Sequence, residues 1–372
     1  MSTAAAPRTW TPPGAGSAAA RLATTLAAAV MLVVATAGPA LAHIRASSAT
    51  NFDSRLTDVP DLDGVRWWLY PGGEYLEVEN TSGQPLTVLG YDGEPYLRVG
   101  PDGVERNRNS PATYLNEERY ADVAVPPRAD PEAAPDWERL SDAPRYAWHD
   151  HRTHWMAPDP PPVIADDPGT PREVHTWTVP FAYDGRALEI SGSLRWEPGP
   201  AWWTWLLAGL VLTAPAAAGL RRRGLDALRP AAVVVAVVAL VNLVHLRDEV
   251  SALPLPALDV AFGIGHNLLF IGAGLAGAAL AWRRTSSLLP LGIGAGAVAF
   301  HQGLLQVSQL GASQVATVWP PALIRLLVAL SIGQALWTAV VLNHARRTQT
   351  APPSAPPAPA AHAAVGAPAE AR

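Results

Sequence analysis

Cysteine and lysine are both absent from this chain of 372 residues. Without cysteine there is no disulfide framework, no thiolate zinc or iron–sulfur site and no thiol nucleophile. All 27 basic residues are therefore arginine. Charge is scarce, at 16% of residues, and the formal net charge of −5 argues against nucleic acid as a partner. Methionine occurs only at positions 1, 31 and 156, which excludes thioether-rich Cu(I) sites. Apolar residues are plentiful, at 49%, and come with 37 prolines and 14 tryptophans. That balance fits neither a water-soluble enzyme nor a pure membrane bundle, and points to a mixture of the two.

Residues 1–42 read as a signal peptide. Arg8 and Arg21 precede an apolar run over 22–37, Gly38-Pro39 breaks it, and Ala40-Leu41-Ala42 forms an A-x-A cleavage site. Cleavage after Ala42 leaves His43 as the mature N-terminus; an uncleaved anchor is the alternative. Residues 43–200 read as an exported all-β, sandwich-like domain. Strand patterns at 65–70, 74–80, 86–91, 95–100, 145–155, 175–181 and 187–196 alternate with turn signals such as Asp92-Gly93 and Asp184-Gly185. A weak helical period touches 130–141, and the Pro-rich, acidic stretch 123–137 reads as a surface loop. This domain holds 27 acidic residues against 14 arginines, a charge of −13, and the remainder of the chain carries +8. An acidic surface suits cations and is also ordinary solvation.

Residues 201–344 read as a transmembrane domain of about five helices, at 201–219, 230–248, 257–281, 286–310 and 319–343, each near the ~20 residues a crossing needs. Arg221, Arg222, Arg223 and Arg229 follow the first span, Arg283 and Arg284 the third, and Arg346 and Arg347 the fifth. The positive-inside rule then puts the β domain outside and the C-terminus in the cytoplasm, for a multi-pass plasma-membrane protein. Trp202, Trp203, Trp205 and Trp319 sit where interfacial anchors belong. Gly263, Gly265, Gly272, Gly274 and Gly277 in the third span, with Gly292, Gly294 and Gly296 in the fourth, allow close helix contact. Residues 345–372 read as a disordered Ala/Pro-rich cytoplasmic tail.

Histidine is where chemistry concentrates. His149, His151 and His154 lie within six residues. On a continuous strand His149 and His151 share one face, with Asp150, Arg152 and His154 on the other. Two imidazoles on one face suit zinc, copper, iron or nickel. The structural alternative is a polar network in which Arg152 pairs with a carboxylate. His43, as a free N-terminus, offers an amine and an imidazole that together suit Cu(II). A third group lies in the spans: His245, His266 and His301 fall at one depth in the outer half of the bilayer, near Asp259 and Arg325. Such residues form a cation pathway, a polar seat for the β domain, or an interhelical network with Asp259–Arg325 as its ion pair.

A signal ending in alanine, a mature N-terminal His43 and an exported β domain resemble the CopC-type copper-binding proteins, which use that histidine with a downstream D-x-H. Here Asp150 lies between His149 and His151 instead. Fusion to a membrane bundle resembles the CopC–CopD architecture of copper uptake. The stretches GYDGEPYLRVGPDG (90–103), NSPATYLN (109–116) and WHDHRTHWM (148–156) look like an uncharacterised bacterial membrane family with an exported N-terminal domain, to which no activity attaches.

The expected function is an envelope membrane protein that binds a divalent transition metal, best matched by Cu(II), for copper handling or transport. Its candidate ligands are His43, His149, His151, His154, His245, His266 and His301. The competing expectation is a structural or interaction protein whose histidines are structural. No phosphate-binding loop, G-x-S-x-G or HExxH motif occurs, so no enzyme is expected. The lipid bilayer and a metal ion are the expected partners.

Overall fold

The computed structural model describes residues 49–157, 159–283 and 288–350. The expected leader 1–42, His43 and the chain beyond residue 350 lie outside the described residues. Among the described residues ten strands come first: β1 (Phe52–Asp58), β2 (Val65–Leu69), β3 (Tyr75–Asn80), β4 (Leu86–Leu89), β5 (Pro95–Gly100), β6 (Gly103–Asn107), β7 (Trp137–Ser141), β8 (Arg145–His149), β9 (Arg172–Tyr183) and β10 (Arg186–Trp196). Two short helices, α1 (Ala112–Leu115) and α2 (Pro162–Ala165), interrupt them. All pairings are antiparallel, in a seven-stranded sheet of order β1-β10-β9-β4-β5-β6-β7 and a three-stranded sheet of order β2-β3-β8.

Period-2 alternation gives the two sheets one shared core. The larger sheet turns Leu86, Val88, Leu97, Val99, Phe181 and Ile190 inward; Trp67, Leu76, Val78 and Trp148 meet them from the smaller one. At roughly 2 kcal/mol for each fully buried aliphatic side chain, this core holds the domain without disulfides. The two longest strands are joined through Asp184-Gly185, whose φ values of 49° and 70° are both positive, as a type I′ hairpin turn requires.

Three strands go beyond the sequence expectation. β1 buries Asp53 and Ser54, so its pattern does not read as apolar; Ser54 Oγ accepts the Trp177 indole N–H at 3.0 Å. β6 extends the hairpin from β5. β7 occupies part of the segment where a helical period was expected. It is an edge strand paired to β6, and its Trp137 lies under the Arg98 guanidinium at 4.6 Å.

The second half of the chain is helical: α3 (Trp202–Thr213), α4 (Leu228–Glu249), α5 (Ala257–Trp282), α6 (Leu289–Val298) and α7 (Pro321–Thr350). Among the described residues, four stretches are helical and apolar enough to cross a membrane: Trp202–Arg221, Gly224–Asp248, Ala257–Trp282 and Pro321–Gln349. Many outward side chains on them are apolar and exposed, among them Leu207, Val211, Val237, Val244 and Leu268. The segment expected as a single span over 286–310 is divided instead. α6 passes into a π-helical turn (Ala299–Leu304), and a 3-10 turn (Val307–Leu310) follows. The widened π turn keeps His301, Gln302 and Gly303 buried. The expected tail from 345 begins as helix, because α7 continues to Thr350.

Only some of the expected glycines make close helix contacts. A Cβ built on Gly294 would lie 3.2 Å from the Cα atoms of both Gly274 and Gly277, so α5 and α6 touch backbone to backbone there. Gly263, Gly265, Gly272 and Gly296 meet open space instead, because they sit away from the neighbouring helices.

The β domain is seated on one end of the helices. Thr50 and Gln314 form an antiparallel bridge, with N–H···O distances of 3.1 and 2.8 Å, and Ser313 N–H donates to Asn51 Oδ1 at 2.8 Å. Arg325 organises this seat. Its guanidinium donates to the carbonyls of Gln309 (3.2 Å), Ala312 (2.6 Å) and Ser313 (3.3 Å). The expected Asp259–Arg325 ion pair does not form, because these carbonyls take the arginine and Asp259 stays exposed in the first turn of α5.

Candidate metal centre

The site begins with strand pairing. β3 and β8 align Tyr75 with His149 and Leu76 with Trp148, which points Trp148 into the core and His149 to the opposite face. The strand expected to run to 155 stops at His149. Asp150 stops it. Its buried carboxylate accepts the Trp148 indole N–H (2.8 Å), the Arg152 backbone N–H (3.1 Å) and two guanidinium bonds from Arg152 (2.8 and 2.7 Å). Thr153 N–H closes the turn onto the Asp150 carbonyl at 3.2 Å, and Thr153 Oγ1 donates to Gly73 O at 2.6 Å. The chain therefore reverses direction. His154, expected on the face opposite His149 and His151, is carried back beside them.

The three imidazoles converge. Ring centroids are 5.2 Å apart for His149–His151, 4.5 Å for His149–His154 and 5.7 Å for His151–His154. One nitrogen from each lies within 4.8 Å of the other two. Tetrahedral coordination at about 2.1 Å places nitrogens about 3.4 Å apart, so small ring rotations complete the set. Backbone carbonyls fix the tautomers. His151 Nε2 donates to Glu118 O at 2.8 Å, His154 Nδ1 to Trp155 O at 3.1 Å, and the His149 ring to the Arg119 carbonyl. Each ring thus offers its other nitrogen as a lone pair, the arrangement that orients metal-binding histidines. Nε2 of His149 and of His154 are buried and have no hydrogen-bond partner. His151 is only half-buried and opens the site to solvent.

The electrostatics keep the rings neutral. Burial pushes the His149 pKa down to about 4, with His151 and Arg119 adding to it. Burial likewise pushes His154 down to about 3, helped by His149, and lowers His151. Neutral imidazole is the form that ligates a metal. Asp150 behaves differently. Burial raises its pKa, but the charge and hydrogen bonds of Arg152, with the Trp148 indole, outweigh this and hold it below the usual carboxylate range. Asp150 is thus a structural anion. The expected pairing of Arg152 with a carboxylate is present, and the same turn brings His154 to the face of His149 and His151, against the expectation from alternation.

Around the triad are residues that sequence reasoning did not single out as functional. Tyr91 accepts the His151 backbone N–H at 3.1 Å and stacks on its ring at 6.0 Å, and Asn116 takes the Tyr91 hydroxyl proton. Glu118 and Arg119 contribute carbonyls, and the Arg119 guanidinium pairs with Glu74. The available signal was indirect: Tyr91 and Asn116 lie in the stretches 90–103 and 109–116 that sequence analysis set apart.

The helical histidines form a separate group. His266 and His301 are edge to face at 4.8 Å, and His301 Nε2 meets Asn267 Oδ1 at 2.7 Å. His245 bonds Asp248 at 3.1 Å, and Asp248 also accepts the backbone N–H groups of Val318 (2.7 Å) and Trp319 (3.0 Å). His43 lies outside the described residues. No family model, no curated protein and no solved structure matches the chain.

Proposed function

We propose that this chain is a multi-pass envelope membrane protein whose exported β domain binds a divalent transition metal through His149, His151 and His154. The observation that carries the reading is the set of three neutral imidazoles, each oriented by a carbonyl, with two buried nitrogens left without partners. With no thiolate and a single methionine beyond the expected leader, the donors are nitrogen and oxygen. The usual affinity order among such sites favours Cu(II) over zinc and nickel. The role is binding rather than catalysis, since Asp150, the carboxylate within the cluster, is consumed by Arg152 and Trp148.

Five crossings fit the packing. α6 and its π turn run back along α5, from the Gly294–Gly277 contact to the His301–His266 contact. This returns the chain to the β-domain end, where Gln314 bridges Thr50 and α7 begins. The opposite end gathers arginine: Arg229 lies over Trp282, and His344 bonds the Arg222 carbonyl at 2.8 Å. That basic end is cytoplasmic by the positive-inside rule, which leaves the β domain outside.

The test is Cu(II) titration of the purified, metal-stripped full-length protein beside a variant carrying His149→Ala, His151→Ala and His154→Ala. One ion should be lost on substitution. Equal uptake by both proteins would overturn the triad and leave its histidines with a structural role.

A further inference from the structure

The bundle holds a second pair of histidines with the same signature. His266 on α5 and His301 on the π turn are 6% and 4% exposed, and Nδ1 of each is buried without a hydrogen-bond partner. For His301 the network fixes the tautomer. Asn267 Nδ2 donates to Gly263 O at 3.0 Å, which orients the amide and makes Oδ1 the acceptor. His301 Nε2 therefore carries the proton it gives to Asn267 at 2.7 Å, and Nδ1 keeps a bare lone pair. Phe270 stacks on His301 at 5.0 Å and meets His266 edge-on at 4.9 Å. A buried polar atom without a partner has lost its hydration with nothing in return. Two rings that each carry such a nitrogen, with centroids 4.8 Å apart, call for an occupant.

We infer that His266 and His301 hold a second imidazole-preferring transition-metal ion inside the helical bundle. The π turn is the device that makes this site, since it places His301 inward against α5. An ionisable pair within spans is costly and suits a functional role better than packing. An acidic residue lies on the same helix. Asp259 is seven residues before His266, two helical turns or about 10 Å away. It is exposed, and it acts electrostatically on Tyr75, whose ring packs against His149 at 5.8 Å. His245 is held by Asp248 and is not one of the proposed ligands. The inference does not depend on the triad.

The experiment uses full-length, metal-stripped protein in detergent with Cu(II) as the probe, read by metal analysis and electron paramagnetic resonance. Three proteins are compared: wild type, the triad variant (His149→Ala, His151→Ala, His154→Ala) and a bundle variant (His266→Gln, His301→Gln). The triad variant should retain one ion with hyperfine coupling from two imidazole nitrogens, and the bundle variant should hold one ion fewer than wild type. If the bundle variant does not fold, the triad variant decides alone. A triad variant with no ion, or with an ion lacking imidazole coupling, overturns the second site, as does a folded bundle variant that binds as much as wild type. Loss confined to the triad variant's own ion leaves this inference standing, whatever becomes of the first.

Discussion

The rings of His149 and His154 lie 4.5 Å apart, and each keeps a buried Nε2 with no partner. Protonating either one places a charge in a buried site beside the other and near Arg119. Burial accordingly holds the folded pKa values at about 4 for His149 and about 3 for His154, against about 6.5 in an unfolded chain. The unfolded state therefore takes up protons first as pH falls. Their contribution to stability is complete above about pH 6.5 and is lost as pH drops towards the folded values, by on the order of 1 kcal/mol per pH unit for each ring. The metal-free protein should unfold at lower urea at about pH 5 than at about pH 7, as followed by proteolysis of the β domain. A double variant, His149→Leu with His154→Leu, should flatten the dependence. A wild-type midpoint indifferent to pH would mean the rings are not buried as neutral groups.

Asp150 is the pivot of the turn that gathers the triad. Removing it in Asp150→Ala leaves the mostly buried Arg152 guanidinium without its counter-charge and Trp148 Nε1 without an acceptor. Breaking a buried pair in this way costs about 3–5 kcal/mol. Asp150→Asn keeps an acceptor for the indole and should cost less. Both variants should bind Cu(II) more weakly, since His154 depends on the reversal at 150–153. Urea denaturation and Cu(II) titration measure the two effects. Unchanged affinity in a folded Asp150→Asn protein would show that the turn holds its shape without the charge.

Most of the β domain was legible because its strands alternate between short turn signals: Leu76, Val78, Leu97, Val99 and Ile190 all point into the core. β1 was not, because it buries Asp53 and Ser54 against Trp177, a pairing that depends on a strand far along the chain. The candidate site was legible as residues and not as geometry. Alternation assigned His154 to the wrong face, because it carries no information about Asp150 forming four hydrogen bonds and turning the chain. The helices were clear from length and composition, whereas the π turn was not. It keeps His301 and Gln302 buried against neighbouring helices, a polar burial that hydropathy does not register.

Absence of cysteine makes the crossing number measurable with single engineered thiols. Ser251 follows α4 at the β-domain end, and Gln349 is exposed near the end of α7. With five crossings these positions lie on opposite sides of the membrane. In intact cells an impermeant maleimide should label Ser251→Cys, and should label Gln349→Cys only after permeabilisation. Equal labelling of both in intact cells would place them on one side and remove α6 with its π turn from the list of crossings.

The same absence lets one cysteine pair report how the β domain sits on the helices. Thr50 and Gln314 exchange both backbone hydrogen bonds, at 3.1 and 2.8 Å, as in a hydrogen-bonded antiparallel pair. Such pairs have Cα atoms about 5.5 Å apart, inside the usual range for a disulfide. A Thr50→Cys, Gln314→Cys protein should cross-link under mild oxidant, read as loss of both free thiols by mass spectrometry. Adding Arg325→Leu removes the guanidinium that gathers the carbonyls of Gln309, Ala312 and Ser313. Those carbonyls then lose their donor, the 311–314 segment loosens, and the cross-linking rate should fall several-fold. The bridge itself contains no side chain of Arg325, so a reduced rate isolates the arginine's part in shaping the seat. Unchanged cross-linking in the Arg325→Leu background would assign that shape to the backbone pairing alone.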